Sequence, residues 1–243
     1  MQHVGIGRQN QRASGHEGLN GFGSREEGTS MRTDELIELL STNVEPVDHR
    51  QTVRNMRIAI VAGTFAVVAI VLLVLGPRSD LNSMSTWLPP IFKIAASTAI
   101  LIPASIYLIK LARPGGEYGT SIALIALPFV VVMLLVTFSL ASTPGSHWKG
   151  AILSDEWLEC VISIPLIAVV PFAVITWMVR QMAPTDLART GAFVGLVAGC
   201  VSAIGYAFHC ADDSVPFFAF WYGGTIALCT LSGWKLGPKL LRW

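Results

Sequence analysis

Charged residues are scarce in this sequence of 243 residues. Only 14% are Asp, Glu, Lys or Arg, whereas 52% are hydrophobic and the mean hydropathy is +0.57. A soluble domain usually carries about 25% charged residues. The few charges form short islands between uncharged runs, and each run is about long enough to cross a hydrocarbon core of roughly 30 Å. The pattern argues against a soluble domain and predicts an integral membrane protein.

Other absences narrow the function. The net charge of +1 gives no field that would attract nucleic acid, so direct nucleic-acid binding is not expected. Four cysteines in a chain of this length do not form a disulfide scaffold. No phosphate loop, zinc-protease motif or nucleophile elbow occurs, which predicts a protein that is not an enzyme and requires no cofactor. No acidic or basic side chain lies in the middle of an uncharged run, which weighs against an ion-coupled pump.

The uncharged runs predict an all-α bundle of six transmembrane helices over residues 58–243. The predicted spans are 58–77, 90–111, 121–140, 160–179, 190–211 and 214–234. Short loops join them, and the lipid bilayer is the expected surrounding. Gly191, Gly195 and Gly199 recur at every fourth position of the fifth span, a spacing that lets two helices pack closely.

Basic residues predict the orientation, because Lys and Arg concentrate on the cytoplasmic side of a membrane. With the N-terminus inside, three basic residues fall outside: Arg78, Lys93 and Lys149. The ten predicted inside are Arg50, Arg54, Arg57, Lys110, Arg113, Arg180, Arg189, Lys235, Lys239 and Arg242. The bias predicts an inner-membrane protein with both termini in the cytoplasm. Lys93, near the start of the second span, is expected to extend its ammonium towards the lipid headgroups.

The N-terminal region divides into two parts. Residues 1–30 are polar and glycine-rich, which predicts either a disordered tail or an extension upstream of a start at Met31. Residues 31–57 form a cytoplasmic segment, in which Thr33 to about Ser41 predicts a short helix with Thr33 as its N-cap. That helix has an acidic side and an apolar side, and it either packs on its own bundle or binds a partner. Its candidate partner-binding residues are Asp34, Glu35, Leu36, Ile37, Leu39 and Leu40.

Two of the four cysteines are candidates for chemistry. Cys200 and Cys229 fall near the middle of predicted spans and are expected to be buried hydrophobic residues. Cys160 begins the fourth span and Cys210 ends the fifth, so both lie on the predicted outer side. They could be redox-active, bind metal, form a structural disulfide or be inert.

Several potential metal ligands lie near these two thiols in the sequence. A thiol with an imidazole binds soft divalent metals, so a metal set of Cys160, Cys210 and His209 is one interpretation. Asp212, Asp213 and Ser214 precede the sixth span and have the pattern of ordinary helix caps.

From about Met31 to Trp243 the sequence resembles a known family. The resemblance rests on TDELI at 33–37, LGPRSDL at 75–81, YAFHCADDS at 206–214, FWY at 220–222 and LLRW at 240–243. These motifs are similar to those of the NrsF-type negative regulators, which are six-helix anti-sigma factors of the bacterial inner membrane. The resemblance implies that the chain holds an extracytoplasmic-function sigma factor at the membrane. It also implies that two cysteines, here Cys160 and Cys210, sense metal or oxidative stress.

Three functions therefore remain for comparison, of which one is a purely structural assembly subunit that neither transports a solute nor binds a sigma factor. The other two are more specific. In the first, the cytoplasmic segment binds the sigma factor, and a signal at the outer thiols (oxidation, or capture of a soft divalent metal) shifts the fourth and fifth helices and releases it. In the second, the protein is a small transporter or channel for a metal or neutral solute and uses the same thiols as an outer binding site.

Overall fold

The computed structural model describes residues 33, 37, 38, 49–78, 88–113, 123–142, 144, 148, 150, 153 and 157–242. The chain divides into two units, Met1–Val47 and Asp48–Trp243. In the first unit Thr33, Ile37 and Glu38 are helical and exposed. The other partner-binding candidates, Asp34, Glu35, Leu36, Leu39 and Leu40, and the whole of 1–30 lie outside the described residues.

The described part of the second unit contains helices and no strand, which confirms the all-α prediction. The helices are α1 (His49–Val74), α2 (Leu88–Leu111), α3 (Ala123–Ala141), α4 (Trp157–Arg180), α5 (Leu187–Tyr206) and α6 (Val215–Leu240). Within α6 a π-helical turn, Phe218–Tyr222, separates a short first turn from the regular helix Gly223–Leu240.

Five of these helices are long and apolar enough to cross a membrane. The exception among the described helices is α3, whose apolar stretch Ala126–Ala141 is shorter than the other five. The membrane-helix character is confirmed, whereas the count of six spans stays a prediction. Large apolar side chains such as Phe65, Leu73 and Phe138 are more than 70% exposed, as expected of surfaces that face lipid.

Helix α5 lies at the centre of the bundle and packs most closely against α6. A Cβ atom added at Gly191 would overlap the carbonyl oxygen of Gly233, and one added at Gly195 would overlap that of Cys229. Gly233 and Gly237 meet α5 in the same way. The predicted close packing of the glycine-rich fifth helix is therefore confirmed, with α6 as its partner.

The ends of α5 differ from the prediction. Asp186 caps the start, because its Oδ1 accepts a hydrogen bond of 3.0 Å from the Arg189 amide. The helix ends at Tyr206 instead of Ala211, since the amides of His209 and Cys210 both turn back to the Tyr206 carbonyl. Cys210 therefore lies in a loop, 207–214, and not on the last turn of the helix.

Candidate functional site: a buried thiol pair

Cys160 and Cys210 lie side by side. Cys160 is on the first turn of α4 and Cys210 is in the loop between α5 and α6, and their Sγ atoms are 3.9 Å apart. Both are free thiols, and both are almost completely buried. The ends of α1 and α5 and the starts of α2, α4 and α6 thus meet at one end of the bundle. Five residues there, Arg78, Lys93, Cys160, Cys210 and Asp213, are called the thiol site below.

Lys93 belongs to this site, which corrects the prediction that it reaches the headgroups. Its side chain is 2% exposed. The ammonium lies 3.3 Å from the Cys210 carbonyl oxygen and 3.7 Å from the Cys210 Sγ, and it also donates to the Asp212 carbonyl oxygen. The loop 207–214 offers these acceptors only because α5 stops at Tyr206. Lys93 therefore turns inward and organises the loop instead of extending to lipid.

The site contains a second buried cation. Arg78, whose side chain is 1% exposed, forms a bidentate ion pair with Asp213 through Nη1–Oδ1 at 2.9 Å and Nη2–Oδ2 at 3.1 Å. Lys93 Nζ is 3.8 Å from the same Oδ1. Arg78 and Lys93 thus both contact this carboxylate, and an anionic sulfur at Cys210 would place a second negative charge beside the Lys93 ammonium.

Backbone contacts fix the loop to the end of α1. The Arg78 amide donates to the Phe208 carbonyl at 3.3 Å, and His209 Nδ1 donates to the Gly76 carbonyl at 3.0 Å. Arg78 Nη2 donates to the Ala211 carbonyl at 3.3 Å. The residues after α1 and the loop that carries Cys210 are therefore connected at several points.

The prediction that residues 212–214 cap α6 holds for two of the three. Ser214 is the N-cap, since its Oγ accepts from the Phe217 amide, and Asp212 Oδ1 accepts from the Ser214 amide. Asp213 instead pairs with Arg78 and Lys93.

Aromatic side chains cover the site from α5 and the π-helical turn. Tyr222 is fully buried, and the Lys93 ammonium lies 5.9 Å from its ring centroid. Its ring contacts Tyr206 and Phe218, with centroids 6.1 and 5.0 Å away. A π-helical turn often marks a functional site, and here it supplies part of the wall around Cys210.

The surroundings lower the pKa of the Cys210 thiol below its ordinary value. The largest cause is the hydrogen bond with Cys160; the Lys93 ammonium and the Asp212 amide act in the same direction, and burial opposes them. Thiolates are the reactive and metal-binding form of cysteine. Cys210 is therefore the more reactive sulfur of the pair, because its surroundings favour the thiolate.

This geometry permits two kinds of chemistry. The sulfurs can approach further and form a disulfide, or they can jointly bind one soft cation. No cluster of three or more His, Cys, Asp or Glu side chains that could hold a metal occurs among the described residues. His209 uses Nδ1 to bind Gly76, which leaves Nε2 with the lone pair in the neutral ring. A metal site of Cys160, Cys210 and His209 stays a prediction.

Of the remaining predicted residues, Cys200 and Cys229 are buried, as expected of apolar core positions. Ile37 is 59% exposed. Sequence reasoning assigned no site role to Arg78 or Lys93. Two signals were available: both are basic residues on the side predicted to be poor in them, and Arg78 lies in the LGPRSDL motif at 75–81.

Comparisons with known proteins agree on one family. Residues 40–243 match the model described as NrsF, negative regulator of sigma F. The chain is 33% identical over 224 residues to the anti-sigma-F factor NrsF of Caulobacter vibrioides, and the match covers 88% of this chain and all of that protein. It is 27% identical over 214 residues to a probable anti-sigma-F factor NrsF of Azospira oryzae, with the same coverages. No solved structure matches the chain.

Proposed function

The chain belongs to the NrsF family of negative regulators of sigma F, and from this premise we propose a specific anti-sigma mechanism. The family role is regulatory and not enzymatic. In our proposal the protein sits in the bacterial inner membrane with both termini in the cytoplasm. It sequesters a sigma factor of the extracytoplasmic-function class and releases it when metal or oxidative stress reaches Cys160 and Cys210.

The observation that carries the sensing part is the 3.9 Å separation of two free, buried sulfurs that are 50 residues apart in the sequence. A buried ammonium lies 3.7 Å from one of these sulfurs. A buried cation is costly unless other groups compensate its charge. The Lys93 ammonium therefore favours a site in which Cys210 carries negative charge.

Either signal changes the charge of the site. A hydroperoxide would oxidise the two thiols to a disulfide. The two electrons and two protons that the thiols lose would reduce the hydroperoxide to an alcohol and water. A soft divalent cation would instead displace the thiol protons and bind both sulfurs. In both cases Lys93 loses the free Cys210 thiolate as a partner. The electrostatic interactions among Lys93, Asp213 and Arg78 change as a result.

The contacts of the site give this change a route to the opposite end of the bundle. Cys160 is on α4, the loop of Cys210 follows α5, and Arg78 follows α1. A rearrangement of the thiol site therefore acts on α1 as well as on the two helices that the sequence suggested. The signal must favour a second bundle arrangement with lower sigma affinity, because a ligand shifts an equilibrium only by its differential affinity for the two states.

The proposed sigma-binding element is the segment that contains Asp34, Glu35, Leu36, Ile37, Leu39 and Leu40. Acidic residues suit a partner with basic DNA-binding surface, and an apolar stripe suits docking into a groove. The exposed Ile37 supports this proposal. Residues 34–39 precede the residues that match the family model, 40–243, so their role needs its own test.

The test is a pull-down from the native cells. Full-length protein and a version lacking residues 31–45 are solubilised in detergent, and the bound proteins are identified by mass spectrometry. The proposal predicts a sigma factor with the full-length protein and none with the deleted version. Recovery with both versions would move the binding site to the cytoplasmic loops. Recovery with neither version would contradict the proposal.

A further inference from the structure

A cluster of arginine side chains lies at the end of the bundle opposite the thiol site. An open groove of about 330 Å³ runs between the start of α1 and the residues that follow α2. Its lining residues are Arg50, Val53, Arg54, Arg57, Ile58 and Arg113. We propose that this groove binds the phosphate of an anionic phospholipid headgroup.

The groove concentrates positive charge from four arginine side chains. Arg50, Arg54 and Arg57 follow one face of α1 at spacings of four and three residues, where like charges repel each other. No acidic side chain lies within salt-bridge distance of Arg54, Arg57 or Arg113 in the parts of the chain that the structure describes. The first turn of α1 also contains no acidic residue to balance the helix dipole, although Asp48 precedes it in the sequence. A bound anion would relieve this repulsion.

The depth of the groove matches that of a headgroup. At about 1.5 Å per residue, Arg57 lies roughly 26 Å and Arg50 roughly 36 Å from the opposite end of α1 at Val74. These values lie on either side of the hydrocarbon thickness of roughly 30 Å. The apolar span of α1 begins at Val53, between Arg50 and Arg54. The guanidinium groups are therefore placed where lipid phosphates lie.

The apolar part of the groove favours lipid over a soluble anionic partner. Ile58 lines the groove and is 57% exposed, and Val61 and Phe65 further along α1 are 55% and 72% exposed. This apolar surface continues from the arginines towards the middle of the span. A phospholipid would place its phosphate among the arginines and its acyl chains along these side chains, whereas a soluble protein would leave them uncovered. Guanidinium groups suit the phosphate because they can donate two parallel hydrogen bonds to it.

The experiment uses the full-length protein in nanodiscs that contain equal amounts of phosphatidylglycerol and phosphatidylcholine. The lipid retained after partial delipidation is identified by native mass spectrometry. The variant is Arg54→Gln/Arg57→Gln/Arg113→Gln. The matched control, Arg180→Gln/Lys235→Gln/Lys239→Gln, removes the same charge from the same predicted side of the membrane but outside the groove. Each arginine near a membrane surface strengthens binding roughly fivefold, so retention of phosphatidylglycerol should fall more than tenfold in the groove variant and little in the control.

A third variant separates loss of charge from loss of folding. Arg54→Lys/Arg57→Lys/Arg113→Lys keeps the charge, and it should retain phosphatidylglycerol to within roughly threefold of the unchanged protein. Inorganic phosphate, added at the concentration of the lipid, should not displace it.

Any of four results would overturn the inference. Retention of phosphatidylglycerol could fall equally in the groove and control variants, or fall in neither. The lysine variant could lose as much phosphatidylglycerol as the glutamine variant, or inorganic phosphate could displace the lipid. Loss of sigma binding in the groove variant with unchanged lipid retention would assign the groove to the protein partner instead. The lipid assay does not depend on sigma binding, so its failure leaves the proposed anti-sigma function untouched.

Discussion

Arg78 and Asp213 form a bidentate ion pair, with N–O distances of 2.9 and 3.1 Å, that joins the end of α1 to the loop before α6. The two side chains differ in burial, since that of Arg78 is 1% exposed and that of Asp213 is 38% exposed. The pair holds the loop of Cys210 in place. Because the two side chains differ in burial, replacing one or the other should change the free energy of unfolding by different amounts.

Asp213→Asn should destabilise the protein more than Arg78→Gln. The first removes the carboxylate that both buried cations, Arg78 and Lys93, contact, which should cost about 3 kcal/mol. The second leaves a partly exposed carboxylate that still faces Lys93, which should cost roughly 1 kcal/mol. Equilibrium unfolding in detergent measures both. Arg189→Gln, which breaks the exposed pair with Asp186, is the control and should change little. Equal costs for the two substitutions would show that Arg78 is not buried as described.

Oxidation should cross-link Cys160 to Cys210 and leave the other two thiols free. The two sulfurs are 3.9 Å apart, within the small movement that a disulfide needs. The purified protein is treated with a mild thiol oxidant, digested, and analysed by mass spectrometry without reduction. Cys160→Ser or Cys210→Ser should abolish the cross-linked peptide, and Cys200→Ser should not. A cross-link between different cysteines would contradict the arrangement of the site.

The Cys210 thiol should titrate below the ordinary pKa of 9.0, because the hydrogen bond with Cys160 and the Lys93 ammonium favour its thiolate. A lowered folded-state pKa stabilises the protein above the unfolded value near 9, and this contribution is lost as the pH falls through the lowered folded-state value. The ultraviolet absorbance of the thiolate, with Cys210→Ser as the blank, reports the midpoint. Lys93→Met should raise the midpoint by about one pH unit or more, since an opposite charge is removed. Lys110→Met, on an exposed part of α2, should leave it unchanged. An unaltered midpoint in Lys93→Met would show that the ammonium does not act on the sulfur.

The glycine contact between α5 and α6 should not tolerate a methyl group. Gly191→Ala and Gly233→Ala each place a Cβ against the backbone of the facing helix, and overpacking of this kind costs about 1–3 kcal/mol. Gly63→Ala on α1 is the matched control, because nothing lies within 4 Å of its added Cβ. It should be neutral or slightly stabilising. Thermal unfolding in detergent compares the three, and equal behaviour would mean that α5 and α6 are further apart than described.

The features that the sequence predicted well are those carried by local patterns. Long uncharged runs predicted the helices, and glycines at every fourth position predicted the close packing of α5. The charges that flank the runs predicted that Cys160 and Cys210 lie at the same end of the bundle. The thiol pair could be proposed because each cysteine adjoins a recognisable span boundary.

The features that were missed depend on contacts between distant parts of the chain. Lys93 looked like an interfacial lysine, because its position near a span start suits that role. Its actual partners, the carbonyls of Cys210 and Asp212, become available only where α5 ends early. Asp213 similarly resembled a helix cap, whereas its partner Arg78 is 135 residues away in the sequence.

The most direct test of the anti-sigma account measures how much sigma factor remains bound to the solubilised protein before and after treatment with a thiol oxidant. The unchanged protein should release sigma factor on oxidation, with an affinity change of roughly fivefold or more if the coupling is of ordinary size. Cys200→Ser/Cys229→Ser should behave in the same way, and Cys160→Ser/Cys210→Ser should keep its sigma factor under both conditions. Release from the Cys160→Ser/Cys210→Ser variant, or no release from the unchanged protein, would contradict the claim that this thiol pair controls sigma binding through oxidation.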